Sequence, residues 1–166
     1  MRVDGTHYRS IWFNQTTAEV CIIDQRWLPN DFRTASLKTR EQFATAIRDM
    51  WVRGAPLIGA TAAYGVAIEM ANDPSDRALD DVWHVLNETR PTAINLRWAL
   101  DRCRNHLAQL TPDARPAAAL KLAHEIAEED VETNRMLGVH GLSLINDIAA
   151  RKPSGEPVRI LTHCNA

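Results

Sequence analysis

Apolar and polar positions divide the chain into a short β region followed by a series of helices. Residues 8–13 and 18–23 are β-prone runs, and the four polar residues at 14–17 (NQTT) predict a turn between them. We therefore expect a β-hairpin to open the domain. Residues 24–32 contain a Pro-Asn-Asp sequence and predict a loop that is anchored by Trp27.

The first helix is predicted by its capping signal and by its apolar spacing. Residues 39–42 (TREQ) form a capping box, in which a Thr side chain and a Gln side chain satisfy exposed backbone N–H groups. The apolar positions after this box are spaced as on one helix face: Phe43, Ala46, Ile47 and Met50. We expect this helix to end near Trp51.

Residues 52–70 (VRGAPLIGATAAYGVAIEM) form the most apolar stretch and predict a buried helix. Pro56 suits the first helical position, and Gly54 allows the backbone before it to bend close to a ligand. Arg53, exposed N–H groups and the positive end of the helix dipole together favour an anion site. Alternatively, this is a core helix with an incidental arginine in front, and these residues alone favour that second interpretation.

Two amphipathic helices are expected next. The first begins with Asp73 as N-cap and Pro74 at the first position, and its apolar face comprises Leu79, Val82, Trp83 and Leu86. The second follows Arg90 and is predicted to be capped by Thr92. Its apolar stripe consists of Leu96, Leu100, Cys103 and Leu107. An arginine thus precedes a helix start for the second time.

The C-terminal part combines a long helix with a short strand. Helical sequence extends from Thr111 to about Ala150, and the polar residues 151–157 predict a turn. Residues 158–162 then predict a β-branched strand, the order that begins a parallel α/β sheet. Cys164 lies where that strand would end, and ligands bind beyond the carboxyl ends of such strands.

Composition limits the functions that the chain can have. The chain has 166 residues, of which 45% are apolar and 24% charged, as expected for a globular protein with a core. A net charge of −2 does not favour nucleic acid or an anionic membrane as a partner. No apolar run approaches the ~20 residues of a spanning helix, and the start is not a signal peptide. We therefore expect a cytoplasmic protein that binds neither nucleic acid nor membrane.

Cysteine and histidine usage favours one reactive thiol and no metal. The three cysteines are an odd number at wide spacing, which fits a reducing compartment better than disulfides. Cys21 and Cys103 lie among apolar residues and are expected in the core, whereas Cys164 is placed to face a cleft. These residues alone slightly favour the alternative, that Cys164 is a buried small residue at a strand end. The six histidines show no metal-ligand spacing, so no metal or nucleotide cofactor is implied.

Three motifs occur together and in order. They are RGAPLIG at 53–59, RPTAINL at 90–96 and ILTHCNA at 160–166. Together they resemble the N-terminal part of the methylthioribose-1-phosphate isomerases, aldose–ketose isomerases of methionine salvage that are related to initiation factor 2B. The resemblance extends from about Asp24 to the last residue.

The resemblance implies a sugar-phosphate substrate and assigns roles to five residues. It implies that Arg53, Gly54, Ala55 and Arg90 surround the substrate phosphate and that Cys164 is the catalytic cysteine. Guanidinium groups suit this role because their planar fork matches two phosphate oxygens. The implied reaction converts 5-methylthioribose 1-phosphate to 5-methylthioribulose 1-phosphate without a cofactor.

The resemblance also sets the expected fold class, which is α+β followed by α/β. Residues 1–130 are expected to form a mostly helical domain with a small antiparallel sheet. Residues 131–166 are expected to contribute the first helix and strand of a truncated Rossmann-like domain. The family is typically homodimeric, and a general-acid aspartate is implied outside this sequence. We therefore expect residues 1–166 by themselves to be inactive.

Two other functions fit the same resemblance. Non-catalytic regulatory subunits of the nucleotide-exchange complex for translation initiation share the architecture but typically lack a cysteine matching Cys164. Ribose-1,5-bisphosphate isomerases are enzymes but usually lack a proline matching Pro56. A 5-deoxyribose 1-phosphate is a further candidate substrate, and these motifs do not separate it from the methylthio sugar.

Overall fold

The computed structural model describes residues 2–162. The strands are β1 (Arg2–Val3), β2 (Thr6–His7), β3 (Ile11–Asn14), β4 (Glu19–Ile23) and β5 (Thr34–Leu37). The helices are α1 (Arg40–Arg48), α2 (Ala55–Asn72), α3 (Asp76–Asn87), α4 (Ile94–Leu107) and α5 (Arg115–Ala150), with a 3-10 turn at Pro112–Ala114. The expected mostly helical fold with a small antiparallel sheet is confirmed.

The predicted hairpin is present as β3 and β4, which pair antiparallel. A third strand, β5, continues the sheet on the other side of β4. The sequence gives little sign of β5, because only Leu37 of its four residues is buried. Its pairing with β4 therefore comes from tertiary structure rather than from local propensity.

The core assignment of Cys21 is wrong, and strand alternation explains why. Val20 and Ile22 are buried on one face of β4, so the residue between them points to the opposite face. Cys21 is half-buried there, and its Sγ lies 3.7 Å from the hydroxyl of Ser36 on β5.

The helix predicted after the capping box begins as expected but ends early. The side chain of Thr39 accepts a hydrogen bond from the N–H of Gln42 at 3.4 Å. Met50 adopts a φ of 56°, which is incompatible with a continuing right-handed helix, so α1 ends at Arg48 rather than near Trp51. Met50 is consequently about half exposed instead of lying on the apolar face.

Helix α2 occupies the centre of the first half of the chain, as its apolar sequence predicts. Residues 58–68 and Met70 are all buried, and α2 contacts α1, α3 and α4. Glycine permits this packing: a Cβ built at Gly65 would lie 3.0 Å from Leu86 and 3.2 Å from Phe43.

The predicted start of α3 is shifted by two residues. Asp73 is extended and follows α2, and its carboxylate accepts from the N–H of Ser75 at 2.9 Å. Ser75 is the actual N-cap, since its hydroxyl accepts from the N–H of Ala78 at 3.2 Å. Asp73 and Ser75 are both good capping residues by type, and it is Ser75 whose side chain reaches an N–H of the first turn.

The chain divides into two compact units, the first ending at Ala127 and the second beginning at Glu128. Within residues 2–162, all buried core residues lie in the first unit, and Ile126 is the last of them. The second unit contains the remainder of α5, which continues to Ala150 as predicted, despite Gly138 and Gly141. Among residues 2–162, no helix combines the length and apolar character needed to cross a membrane.

The strand predicted at 158–162 is not formed. These residues have no regular secondary structure, and the side chains of Ile160 and Leu161 are largely exposed. A β-strand needs a neighbour to satisfy its backbone groups, and within residues 2–162 every paired strand belongs to the antiparallel sheets before α1. An apolar, β-branched sequence alone is therefore not enough to form a strand at 158–162.

Candidate functional site

The turn before α2 places Arg53 directly in front of a helix N-terminus. Gly54 is the N-cap, with a φ of 94° that disfavours any residue carrying a Cβ. The helix begins at Ala55, so Pro56 occupies the second helical position rather than the first. Ala55 and Pro56 are exposed, and the first turn of α2 is thus open to solvent.

A similar arrangement precedes α4. The carbonyl of Arg90 accepts from the N–H of Ala93 at 2.9 Å and closes a turn around the exposed Pro91 and Thr92. The predicted Thr92 cap is wrong, because Ala93 is the N-cap and no side chain caps this helix. The Arg90 guanidinium has no ion-pair partner among residues 2–162.

These two helix starts differ from the starts of α1 and α3. Thr39 and Ser75 cap α1 and α3 through their side chains, and each of those helices has an acidic residue in its first turn. Neither α2 nor α4 has a side-chain cap or an acidic first-turn residue. Within residues 2–162, no capping side chain meets the N-terminal N–H groups of α2 and α4, and the positive dipole ends there favour an anion.

Packing brings the two open helix starts to the same end of the helical layer. A Cβ built at Gly59, in the second turn of α2, would lie 2.9 Å from the carbonyl oxygen of Asn95, in the first turn of α4. At the other ends, the buried Arg115 guanidinium donates to the carbonyls of Pro74 (2.8 Å) and Leu107 (3.0 Å). Helices α2 and α4 consequently run in the same direction, and their N-termini lie together.

The loop at 24–32 supports the segment that leads into Arg53. The N–H of Gln25 donates to the carbonyl of Trp51 at 2.9 Å, and the Arg26 guanidinium lies 4.3 Å from the centre of the Trp51 ring. The buried Asp24 carboxylate accepts from Arg26 at 2.9 and 2.6 Å. These hydrogen bonds with Arg26 hold the pKa of Asp24 below its usual value.

Sequence reasoning did not identify Asp24 and Arg26 as part of this region. The available signal was the expected anchoring of the loop by Trp27, whose indole N–H also donates to Asp24, at 3.2 Å. What the sequence could not show is that this loop lies against Trp51, two residues before Arg53.

An open cleft adjoins the Arg90 turn and has a volume of about 530 Å³. It is lined by Pro91, Thr92, Ala93, Ile94, Arg97, Trp98 and Asp101. Ile94 and Trp98 are exposed there, so this wall of the α4 start is apolar. The C–H face of a sugar ring, or an apolar group, could lie against such a wall.

The expected catalytic cysteine, Cys164, lies outside the described residues. The other two cysteines match a non-catalytic role: Cys103 is fully buried, which raises its pKa to about 12, and Cys21 faces Ser36. Asn95 belongs to the second motif, and its backbone carbonyl packs against Gly59. No group of three His, Cys, Asp or Glu residues within positions 2–162 is arranged to hold a metal ion.

Comparison with known proteins identifies relatives over the whole chain. The model of the initiation factor 2 subunit family matches residues 51–166. Methylthioribose-1-phosphate isomerase of Sinorhizobium medicae is 63% identical over 166 residues, covering 100% of this chain and 46% of the relative. The chain thus spans about half the length of the methylthioribose-1-phosphate isomerases that it matches.

Two solved structures share the fold. A crystal structure of 5-methylthioribose 1-phosphate isomerase from Pyrococcus horikoshii OT3 superimposes with a TM-score of 0.74 at 34% identity, over 80% of this chain and 39% of the other. The delta subunit of translation initiation factor eIF-2B from A. fulgidus gives a TM-score of 0.76 at 32% identity, over 83% and 42%. The fold is therefore common to an enzyme and to a translation factor subunit.

Proposed function

Because this chain belongs to the initiation factor 2 subunit family, we propose that it provides the phosphate-binding residues and the catalytic cysteine of a methylthioribose-1-phosphate isomerase. The relative from Sinorhizobium medicae carries that name at 63% identity, about twice the identity of the eIF-2B subunit. Similarity at that level favours the enzyme over the translation factor subunit.

The phosphate is assigned to the shared N-terminal end of α2 and α4. The single observation that carries this assignment is that α2 and α4, the two parallel helices whose starts lack a capping side chain, are each preceded by an arginine, Arg53 or Arg90. Gly54 and Ala55 offer backbone N–H groups at the first of these starts. A sugar 1-phosphate dianion supplies the negative charge and the acceptor oxygens that such groups bind.

Anchoring the phosphate fixes the reacting carbons, because the phosphate is attached to C1. In the proposed reaction a proton is added to the ring oxygen and the bond from C1 to that oxygen breaks. Hydrogen then moves from C2 to C1, the C2 hydroxyl loses its proton, and C2 becomes a carbonyl. We assign Cys164 to the transfer at C1 and C2, and an acidic group to the ring oxygen. Each positioned acid–base step typically contributes ~10²–10⁴-fold.

The proposal also covers domain organisation, localisation and oligomeric state. We propose that residues 131–166 begin a Rossmann-like domain and that the protein is a cytoplasmic homodimer. Support for association comes from the second unit, where α5 exposes a set of large apolar side chains. These are Leu137, Val139, Leu142, Leu144 and Ile148.

The proposal is tested by assaying isomerisation of 5-methylthioribose 1-phosphate with the natural polypeptide that carries residues 1–166. Cys164→Ala should lower turnover by at least about 10²-fold, the scale of one acid–base step, while substrate binding is retained. Cys21→Ala is the matched control, since Cys21 is half-buried on the sheet, and it should remain active. Wild-type turnover in the Cys164 variant would refute the catalytic assignment.

A second candidate function is a non-catalytic sugar-phosphate sensor. It is favoured by the fold match to the eIF-2B delta subunit, which is as good as the match to the isomerase. Saturable binding of the sugar phosphate without any turnover would support the sensor and contradict the enzyme.

A further inference from the structure

The segment that carries Arg53 is held from one side by a carboxylate that no functional assignment includes. Asp24 is almost fully buried, with 5% of its surface exposed. Its carboxylate accepts two hydrogen bonds from the Arg26 guanidinium and one from the Trp27 indole N–H. It also accepts from the backbone N–H of Arg26 at 3.2 Å. A buried charge with this many donors fixes the geometry of its partners.

The partner that matters is Arg26, because it reaches Trp51. The guanidinium carbon lies over the indole ring, 4.3 Å from its centre, which is a cation–π contact. The Trp51 Nε1 is buried and has no hydrogen-bond partner among residues 2–162. The ring is therefore oriented by stacking and packing rather than by its own polar atom.

Backbone hydrogen bonds also hold Trp51, which lies two residues before Arg53. The carbonyl of Trp51 accepts from the N–H of Gln25, and the N–H of Trp51 donates to the carbonyl of Ala46, both at 2.9 Å. Trp51 is followed by the fully buried Val52 and then by Arg53. The loop at 24–26 and the end of α1 thus hold Trp51 from two directions.

On the basis of the proposed function, we propose that Asp24 is a positioning residue for phosphate binding. It holds Arg26 against Trp51, and Trp51 in turn sets the direction in which the turn that follows presents the Arg53 guanidinium. Asp24 does not touch the substrate. Its pKa, lowered by Arg26, keeps it ionised at neutral pH, as this role requires.

The test uses Asp24→Asn in the natural polypeptide that carries this chain. The substitution keeps the size of the side chain but removes the charge that orients Arg26. KM for 5-methylthioribose 1-phosphate and Kd for inorganic phosphate should both rise about tenfold, the loss of one charge-assisted contact, with little change in kcat. If Asp24→Asn only reduced the fraction of folded protein, the apparent kcat would fall and KM would not change.

Two further variants serve as a control and as a second test of the contact with Trp51. Asp31→Asn is the matched control, because Asp31 forms a comparable 2.6 Å pair with Arg33 but is about half exposed. It should leave KM unchanged. Arg26→Lys keeps the positive charge beside Asp24 but removes the guanidinium that lies over the Trp51 ring, so KM should rise with this variant as well.

A double mutant separates this proposal from the proposed function. If Asp24 acts through Arg53, adding Asp24→Asn to Arg53→Ala should weaken phosphate binding no further than Arg53→Ala alone. Additive effects, or an unchanged KM in both Asp24→Asn and Arg26→Lys, would overturn the positioning role. If Arg53→Ala itself leaves phosphate affinity unchanged, the proposed phosphate site fails as well.

Discussion

At the scale of single residues, Cys103 gives a prediction for stability against pH. Its burial in the core raises its pKa to about 12, above the 9.0 of an exposed thiol. The native state therefore retains this proton more tightly than the unfolded state. The contribution of Cys103 to stability is complete below pH 9 and declines as the pH rises from about 9 toward 12.

Cys103→Ala removes this pH dependence together with some packing. We expect the variant to lose about 1–3 kcal/mol of unfolding free energy at pH 8, and we expect a smaller difference from wild type at pH 10. Urea unfolding of both proteins at the two pH values measures this. A difference that stays constant between pH 8 and pH 10 would contradict the account.

Residue-level expectations succeeded where one local rule decides the outcome. Cys103 lies on the apolar stripe of α4 and is buried as predicted. Cys21 was misplaced because its apolar neighbours in sequence lie on the opposite face of a strand. Asp73 and Thr92 were misassigned as caps because a capping side chain must reach specific N–H groups, which residue type alone does not determine.

At the scale of elements, the close approach of α2 and α4 depends on Gly59. A Cβ there would lie 2.9 Å from the backbone oxygen of Asn95 and 3.4 Å from the Cβ of Ala99, so the helices would have to move apart. We expect Gly59→Ala to lower the unfolding free energy by about 1–3 kcal/mol. It should also weaken phosphate binding, because the two helix starts would separate.

Gly141→Ala is the matched control for this prediction. Gly141 is also helical, in α5, but nothing lies within 4 Å of a Cβ built there. Alanine should therefore stabilise the helix by about 0.5–1 kcal/mol through its higher propensity. Denaturant unfolding of both variants decides the matter, and destabilisation of equal size in the two would rule out the contact with Asn95 as the cause.

Element-level prediction was most reliable for the helices and least reliable for the strands. Each predicted helix is present, because apolar periodicity and length are properties of the segment itself. By contrast, β5 was missed and the strand at 158–162 is not formed, since a strand exists only where a neighbour pairs with it.

At the scale of the whole first unit, Arg115 ties the far ends of α2 and α4 together. Its guanidinium is buried and donates to two backbone carbonyls and to the exposed Asp76 carboxylate. Arg115→Met leaves the carbonyls of Pro74 and Leu107 without this donor. We expect a loss of about 2–4 kcal/mol in unfolding free energy, measured by chemical denaturation.

The control for Arg115→Met is Asp76→Asn. Because the Asp76 side chain is 88% exposed, its removal leaves both buried carbonyl contacts intact and should cost less than about 1 kcal/mol. Equal losses in the two variants would show that the surface ion pair, and not the carbonyl bridge, stabilises the arrangement of these helices.

The candidate site was only partly predictable from the sequence, because its assembly depends on tertiary packing. Arg53 and Arg90 could be selected one at a time, since each precedes a helix start. That both starts lie at one end follows from the parallel packing of α2 and α4, which Gly59 and Arg115 determine. The support of Trp51 by Arg26 likewise depends on tertiary contact.

The central claim is that Arg53 and Arg90 bind one phosphate together. Calorimetric titration of the natural polypeptide with 5-methylthioribose 1-phosphate tests it most directly. Each lost charge-assisted contact is worth about 1.5–3 kcal/mol, so Arg53→Ala and Arg90→Ala should each weaken binding roughly tenfold or more. Arg53→Lys should restore affinity only in part, because lysine lacks the planar fork.

The control in this titration is Arg77→Ala on α3, whose side chain is 91% exposed and pairs only with Asp81 among the described residues. The account predicts wild-type affinity for this variant and a marked loss for the Arg53 and Arg90 variants. Dissociation constants that are the same for all three variants and the wild type would contradict the phosphate site.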